Sequence, residues 1–294
     1  MKFGSVPNPE LIDFTLPPDN LGTAKVLSKG NGTFEAYVGC AKWNRTDLKN
    51  FYPRGTKDEL IYYSRQFNSI ELNATFYRSP SGQHVVVWHD KTPEGFKFFP
   101  KIPSYISHIK RLNDVKDAVT EYLDAISHFQ DKLEMIFLQL HDNFSAKNMD
   151  RLVNFIQNWP KGMPLAIELR SQDWFDDPVV AESLYELFEE NSITNVITDT
   201  AGRRDLLHMR LTTPVAFIRY VGANHASDYP RLDDWLERIA LWKSQGLEKL
   251  YFFVHQNLEL ESPLLSKYFI EKMNDQLGTN LKVPQPGEVL DGLF

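Results

Sequence analysis

Four short stretches of this chain end in side chains able to carry acid–base or anion-binding chemistry. Ser69-Ile-Glu-Leu-Asn73 sets Glu71 two residues before Asn73, and Leu165-Ala-Ile-Glu-Leu-Arg170 sets Glu168 two residues before Arg170. In an extended strand that spacing puts both side chains on one face. Lys101 closes Phe96-Lys-Phe-Phe-Pro-Lys101, and Arg219 lies near the end of Ala216-Phe-Ile-Arg-Tyr220. Charged groups inside apolar runs need partners or water. Glu71, Glu168 and Asp199 are the candidate acid–base groups or hydroxyl acceptors. Lys101, Arg170 and Arg219 are candidate anion donors, with Arg able to grip a carboxylate or phosphate bidentately. Asn73, Gln139 and Asn257 would orient hydroxyls, His108 lies further along the loop after Lys101, and Trp43, Tyr77 and Trp174 would wall the pocket. The competing reading is a buried salt-bridge network in which Glu168 pairs with Lys101 or Arg219.

Other chemistries fit less well. Glu168, Asp199, His255 and His108 could gather metal ligands, but there is no His-x-His or His-Glu-x-x-His pattern, and two nearby arginines would oppose a cation. No metal and no cofactor is expected. No Gly-x-Gly-x-x-Gly follows any apolar run, and no P-loop is present. Cys40 is the single cysteine and reads as a small apolar filler, so no intrachain disulfide framework exists. His84 and His89 fall on a helical segment, and His208 and His225 in loops without evident partners.

Eight apolar runs would position these groups, with strands expected near Ala36–Cys40, Ser69–Asn73, Lys97–Lys101, Met135–Leu140, Leu165–Leu169, Asn195–Thr198, Ala216–Tyr220 and Leu250–Val254. Several are continuous rather than alternating, as parallel strands buried on both faces are. Helical patterns fill the gaps. Lys57–Phe67 follows a turn with Thr56 as the expected cap, Asn113–Gln130 carries apolar residues at helical spacing, and Ser145–Trp159 stops before Pro160. Asp177-Pro178 opens a helix through Phe188, Asp233–Gln245 ends at Gly246, and Ser262-Pro263 opens the last. After the sixth run the pattern breaks at Asp199-Thr-Ala-Gly202. Strand–helix alternation repeated eight times predicts an α/β fold, a single (β/α)8 TIM barrel over residues 35–294, preceded by an extension over residues 1–34. Strand C-terminal ends converge in such a barrel, so the pocket is expected there. Gln139 and Arg219 stand at the ends of strands four and seven, where the commonest barrel glycosidases carry their acids.

The same residues resemble the DUF72 or YecE-like family of bacterial proteins. Gly39 with Trp43, Phe51-Tyr-Pro53, Glu71-Leu-Asn73, Thr75-Phe-Tyr77, Trp88, Thr92-Pro93, Lys101, His108, Leu138-Gln-Leu140, Glu168-Leu-Arg170, Trp174, Asp199, Arg219 and Gly222 carry the likeness, which extends over residues 36–275. It implies a TIM-barrel fold and assigns no catalytic residue. The chain departs from the family pattern at His141-Asp-Asn-Phe144, where Pro-Pro-Ser-Phe is usual, and at Ser171 and Val221, where histidine is frequent.

Composition narrows the partners. With 32 basic and 39 acidic residues the net charge is −7, which disfavours a broad grip on nucleic acid. No apolar run reaches the ~18–20 residues that span a bilayer, and the first twenty residues carry no secretion signal. The expectation is a soluble, cytoplasmic protein, with no oligomeric state assigned. The function expected is an enzyme (hydrolase, lyase or isomerase) acting on a small anionic or hydroxylated substrate. The alternative is a non-catalytic binding module for a phosphorylated metabolite or nucleic acid.

Overall fold

A computed structural model describes residues 4–285. Among them stand eight strands: β1 (Glu35–Cys40), β2 (Ser69–Leu72), β3 (Lys97–Pro100), β4 (Ile136–Gln139), β5 (Leu165–Glu168), β6 (Thr194–Thr200), β7 (Val215–Val221) and β8 (Lys249–His255). They lie close to the expected runs. The α-helices in chain order are α1 (Leu21–Leu27), α2 (Glu59–Tyr63), α3 (Ala74–Tyr77), α4 (Gly82–Lys91), α5 (Lys116–Ser127), α6 (Met149–Gln157), α7 (Asp173–Asp176), α8 (Pro178–Glu190), α9 (Asp228–Gln245) and α10 (Ser262–Leu277). Asp58, not Thr56, caps α2 by accepting from Ile61 N, and the Thr56 hydroxyl donates to Pro53 O instead.

The strands do not form one continuous ladder. Six make a parallel sheet in the order β1-β8-β7-β6-β5-β4, and β2 and β3 make a second, two-stranded parallel sheet. Between β3 and β4 the backbone contributes isolated bridges at Phe98–Leu133 and Lys101–Phe137. Between β1 and β2 side chains stand in for the ladder. Asn68 Oδ1 accepts from Val38 N and its Nδ2 donates to Ala36 O. The Tyr63 hydroxyl accepts from Cys40 N at 2.7 Å and donates to Ser69 O at 3.0 Å. The strands approach here because Gly39 has no side chain: a Cβ there would sit 2.3 Å from Ser69 O.

Alternation along the strands sends one set of residues inward from both sheets. Phe99 of β3 packs edge-on against Phe253 and Tyr251 of β8, at 4.8 and 4.6 Å between ring centroids. With Phe137, Ala166, Val196 and Phe217 these form an apolar layer, buried throughout. The outward-facing residues pack under the helices as the larger core.

No α-helix separates β6 from β7, only the short 3-10 turn Arg204–Leu206. The N-terminal segment covers that side. Thr23 of α1 is fully buried, donates to Met209 O and accepts from Leu211 N. Asp19 accepts from Arg238 and Trp242 of α9, and Lys29 pairs with Glu189 of α8. Among the described residues no helix is long and apolar enough to cross a membrane.

Tyr63→Phe tests the side-chain junction between β1 and β2. It leaves the buried Cys40 N–H without its acceptor, so urea unfolding should show a loss of about 1–3 kcal/mol. A change below 0.5 kcal/mol, on the order of an ordinary surface substitution, would mean that the hydroxyl does not hold the junction.

Candidate functional site

Immediately above the apolar layer, at the C-terminal ends of the strands, lies a charged layer drawn from both sheets. The register fixes its members. Gln139 pairs with Glu168 across β4 and β5, Arg219 pairs with Phe253 across β7 and β8, and Val221 pairs with His255. Glu71 faces the same interior from β2, opposite Phe99. Lys101 follows the end of β3.

Arg219 is the hub. Its Nε and Nη2 donate to the two oxygens of Glu71 at 2.9 and 2.8 Å, and its Nη1 donates to Glu168 Oε2 at 2.7 Å. Further donors reach both carboxylates. Glu71 accepts from Asn73 Nδ2 at 2.7 Å and lies 3.0 Å from His255 Nε2. Glu168 accepts from Arg170 Nε at 2.7 Å and Gln139 Nε2 at 2.8 Å. Gln139 in turn accepts from Lys101 Nζ at 2.9 Å, which fixes the orientation of its amide.

The two carboxylates are buried, which opposes ionisation, but the charges around them win. Arg219 and His255 hold Glu71 well below the usual carboxylate range, and Arg170 and Arg219 do the same for Glu168. Both therefore stay ionised at neutral pH. Lys101 is the opposite case. Burial, then Arg219, pushes it down to about 7, against the pull of Glu168 and Glu71. Its Nζ lies 4.2 Å from the centroid of the Phe76 ring. Such a contact is worth about 0.5–2 kcal/mol, and one pKa unit corresponds to about 1.4 kcal/mol. The ring therefore offsets only part of the displacement.

His108 packs edge-on against Phe76, at 4.9 Å between ring centroids, and lies 5.2 Å from His141. It sits in a π-helical turn, Tyr105–Ile109, followed by Arg111, Leu112 and Asp114 in the left-handed region (φ 51, 63 and 50°). Such turns are rare and recur at functional sites. Ser107 Oγ lies 2.9 Å from its Nδ1, and burial with His141 and Lys101 lowers its pKa to about 4. The imidazole is neutral at physiological pH.

Glu71, Asn73, Lys101, Gln139, Glu168, Arg170 and Arg219 thus meet in one layer, with His108 beside it. Five other expected residues stand elsewhere. Asp199 pairs with Tyr220 on the outward face of β6, where Arg204, Arg231 and the Trp235 indole hold it. Its inward neighbour is Thr198, opposite Arg219. Trp174 is fully buried, stacked on Phe144 with its indole N–H donating to Phe144 O. Trp43 packs edge-on against Trp88, and Tyr77 is 82% exposed. Asn257 lies beyond the end of β8 and donates to Gly4 O. His255, two residues on from inward Phe253, holds the position expected of Asn257. Phe76 completes the site against Lys101 and His108, and its place directly after the β2 end was the available signal. Among the described residues no group of three or more His, Cys, Asp or Glu stands in position for a metal.

A family model described as "Protein of unknown function DUF72" matches residues 37–288. The chain belongs to the DUF72 family. UPF0759 protein YecE of Escherichia coli K12 is 25% identical over 274 residues, covering 85% of this chain and 97% of that protein. UPF0759 protein YunF of Bacillus subtilis is 27% identical over 169 residues, 54% of this chain and 59% of that one. Two solved DUF72 structures share the fold. One from Thermotoga maritima superposes with a TM-score of 0.67 at 23% identity, over 82% of this chain and 99% of its own. One from Enterococcus faecalis gives 0.67 at 19%, over 81% and 97%. The Glu71-Leu-Asn73 and Glu168-Leu-Arg170 pairs that carried the DUF72 resemblance are those that surround Arg219.

Arg219→Met should leave two buried carboxylates without their common partner and destabilise the protein at pH 7 by about 3–5 kcal/mol in urea unfolding. The folded pKa values of Glu71 and Glu168 lie below the unfolded value of about 4.3. Wild type should therefore keep this stability above that pH and lose it as the pH falls further. The variant should show a much shallower acid loss. An equal acid slope in both proteins would place the titrating carboxylates elsewhere.

Proposed function

We propose that this DUF72 protein is an enzyme acting on a small anionic or hydroxylated substrate at the C-terminal ends of its strands. In this reading the two sheets enclose their common interior as a (β/α)8 barrel. Lys101, carried by β3 onto the charged layer, is the observation that supports it most. It is a buried amine that gains and loses a proton near neutral pH, beside a neutral imidazole and two ion-paired carboxylates.

The roles differ from the simplest pairing of acids. Glu71 and Glu168 are fixed anions: each oxygen accepts a charged or amide donor, so neither is available to carry a proton at pH 7. Their task is to hold Arg219, Arg170 and Gln139 in place. Lys101 is the general base or nucleophile, and His108 is a hydrogen-bonding partner for the substrate. Arg219 and Arg170 resist protonation of Lys101, and Lys101 and Arg170 resist that of His108. An anionic ligand entering there relieves this opposition, which favours a carboxylate or phosphate over a neutral molecule. The same positive field of Arg219 and Arg170 also suits a second reading, a non-catalytic module for a phosphorylated metabolite. The net charge of −7 argues against nucleic acid.

A thermal-shift series with lactate and inorganic phosphate tests the site. A ligand at 100 times its Kd stabilises by about 2.7 kcal/mol, and Lys101→Met should reduce that shift. Turnover of a substrate found by NMR screening of metabolite mixtures should rise with pH through about 7 in kcat/KM and fall by roughly 10²–10⁴ in Lys101→Met. Ligand binding without any turnover would favour the binding module, and no anion-dependent shift would remove both readings.

A further inference from the structure

The described chain buries two lysines to the same extent, and they are bound differently. Lys101 and Lys132 are each 6% exposed. Lys132 Nζ donates to His89 O, Thr92 O and Thr92 Oγ1 at 2.7, 2.7 and 3.1 Å, so all three of its hydrogens have an oxygen. Lys101 Nζ has one hydrogen-bond acceptor, the Gln139 amide, and otherwise faces the rings of Phe76 and Phe137 at 4.2 and 5.8 Å. Among the described residues no carboxylate pairs with Lys101, because Glu71 and Glu168 are taken by Arg219 and Arg170. Two aromatic rings border the amine, and burial with Arg219 opposes its protonation. Amines so placed keep a free lone pair and act as nucleophiles toward carbonyls.

We propose that Lys101 is a carbonyl-trapping amine: its Nζ condenses with a small anionic aldehyde or ketone of the 2-oxo acid type and holds it as an iminium. This rests on the enzyme reading above and names its substrate class. The lone pair of Nζ forms a bond to the carbonyl carbon, and one Nζ hydrogen passes as a proton to the carbonyl oxygen to give a neutral carbinolamine. The hydroxyl then leaves with a second proton as water, and the nitrogen shares its electrons in the new C=N bond. In sum, one neutral amine, one carbonyl and one proton give one iminium and one water. The groups facing Nζ are suited to this. Gln139 Oε1 accepts from the amine and orients it. His108, edge-on to the same Phe76 ring, is a neutral imidazole available to hydrogen-bond the substrate, and the proton taken up by the departing hydroxyl comes from solvent. Arg219 and Arg170 supply the positive field for the substrate carboxylate, while Glu71 and Glu168 balance the iminium charge.

Reductive trapping on the full chain tests the proposal. The protein is incubated with pyruvate, and in parallel with glyoxylate, in the presence of sodium cyanoborohydride between pH 6 and 9. Intact mass and peptide mapping then locate the adducts. The expected result is one rapid adduct on the peptide carrying Lys101, formed at least tenfold faster at pH 7 than on exposed lysines such as Lys49, with Lys132 unmodified. The Lys101 rate should level off above pH about 7. Lys101→Met should lack the rapid adduct, and the wild-type peptide map decides the matter even where that variant folds poorly. Labelling of Lys101 no faster than Lys49 by either probe overturns the inference. Stabilisation by lactate with no rapid adduct would sink the amine chemistry alone. Absence of both stabilisation and adduct would sink the enzyme reading with it.

Discussion

One guanidinium joins the two sheets. Arg219, from the six-stranded sheet, donates to Glu71 of the two-stranded sheet through two of its nitrogens and to Glu168 of its own sheet through the third. Backbone pairing between the sheets is sparse: isolated bridges on one side and the Asn68 and Tyr63 side chains on the other. The charged layer therefore crosses a junction that hydrogen-bonded ladders leave weak. Such a buried network is not a strong source of net stability, since desolvating the ions consumes much of their attraction. Its value is positional. With both oxygens of Glu71 and of Glu168 engaged, the layer has one low-energy arrangement, and the side chains around it inherit that arrangement.

The same ion pairing decides where protons can move. Glu71 and Glu168 are held ionised by Arg219 and its neighbours, so neither has a proton to exchange near neutrality. Lys101 receives the opposite treatment. It shares their burial and feels the positive field of Arg219, but its one acceptor is an uncharged amide. The aromatic layer beneath keeps water away from that side, and the rings of Phe76 and Phe137 border the amine. Fixed anions, fixed cations and one labile amine follow from a single arrangement of the strand ends.

Much of this was legible in the sequence because the chemistry sits at the ends of uniformly apolar runs. Glu71 with Asn73 and Glu168 with Arg170 share a face by simple alternation, and both pairs reach Arg219. The same uniformity hid other features. β6 is buried along its whole length on both faces, so periodicity could not say whether Thr198 or Asp199 points inward. Asp199 belongs to a separate outward cluster with Arg231 and Trp235. At the end of β8 the strand runs one residue further than expected, which brings His255 rather than Asn257 to the layer. Trp174 reads like a pocket wall by position, yet a fully buried indole with its N–H satisfied is packing. The division into two sheets had no local signal at all. It depends on Asn68 and Tyr63 replacing backbone partners, which only the spatial neighbours reveal. The short turn after β6 was visible as a broken pattern, but the use of α1 to cover that side was not.

The account depends most on the state of a single amine. Titration of the protein labelled with 13C at lysine Cε, followed by NMR and assigned with Lys101→Met, reads that state directly. One resonance should titrate with a midpoint near pH 7 and vanish in the variant. Finding every lysine still protonated above pH 9 would contradict it.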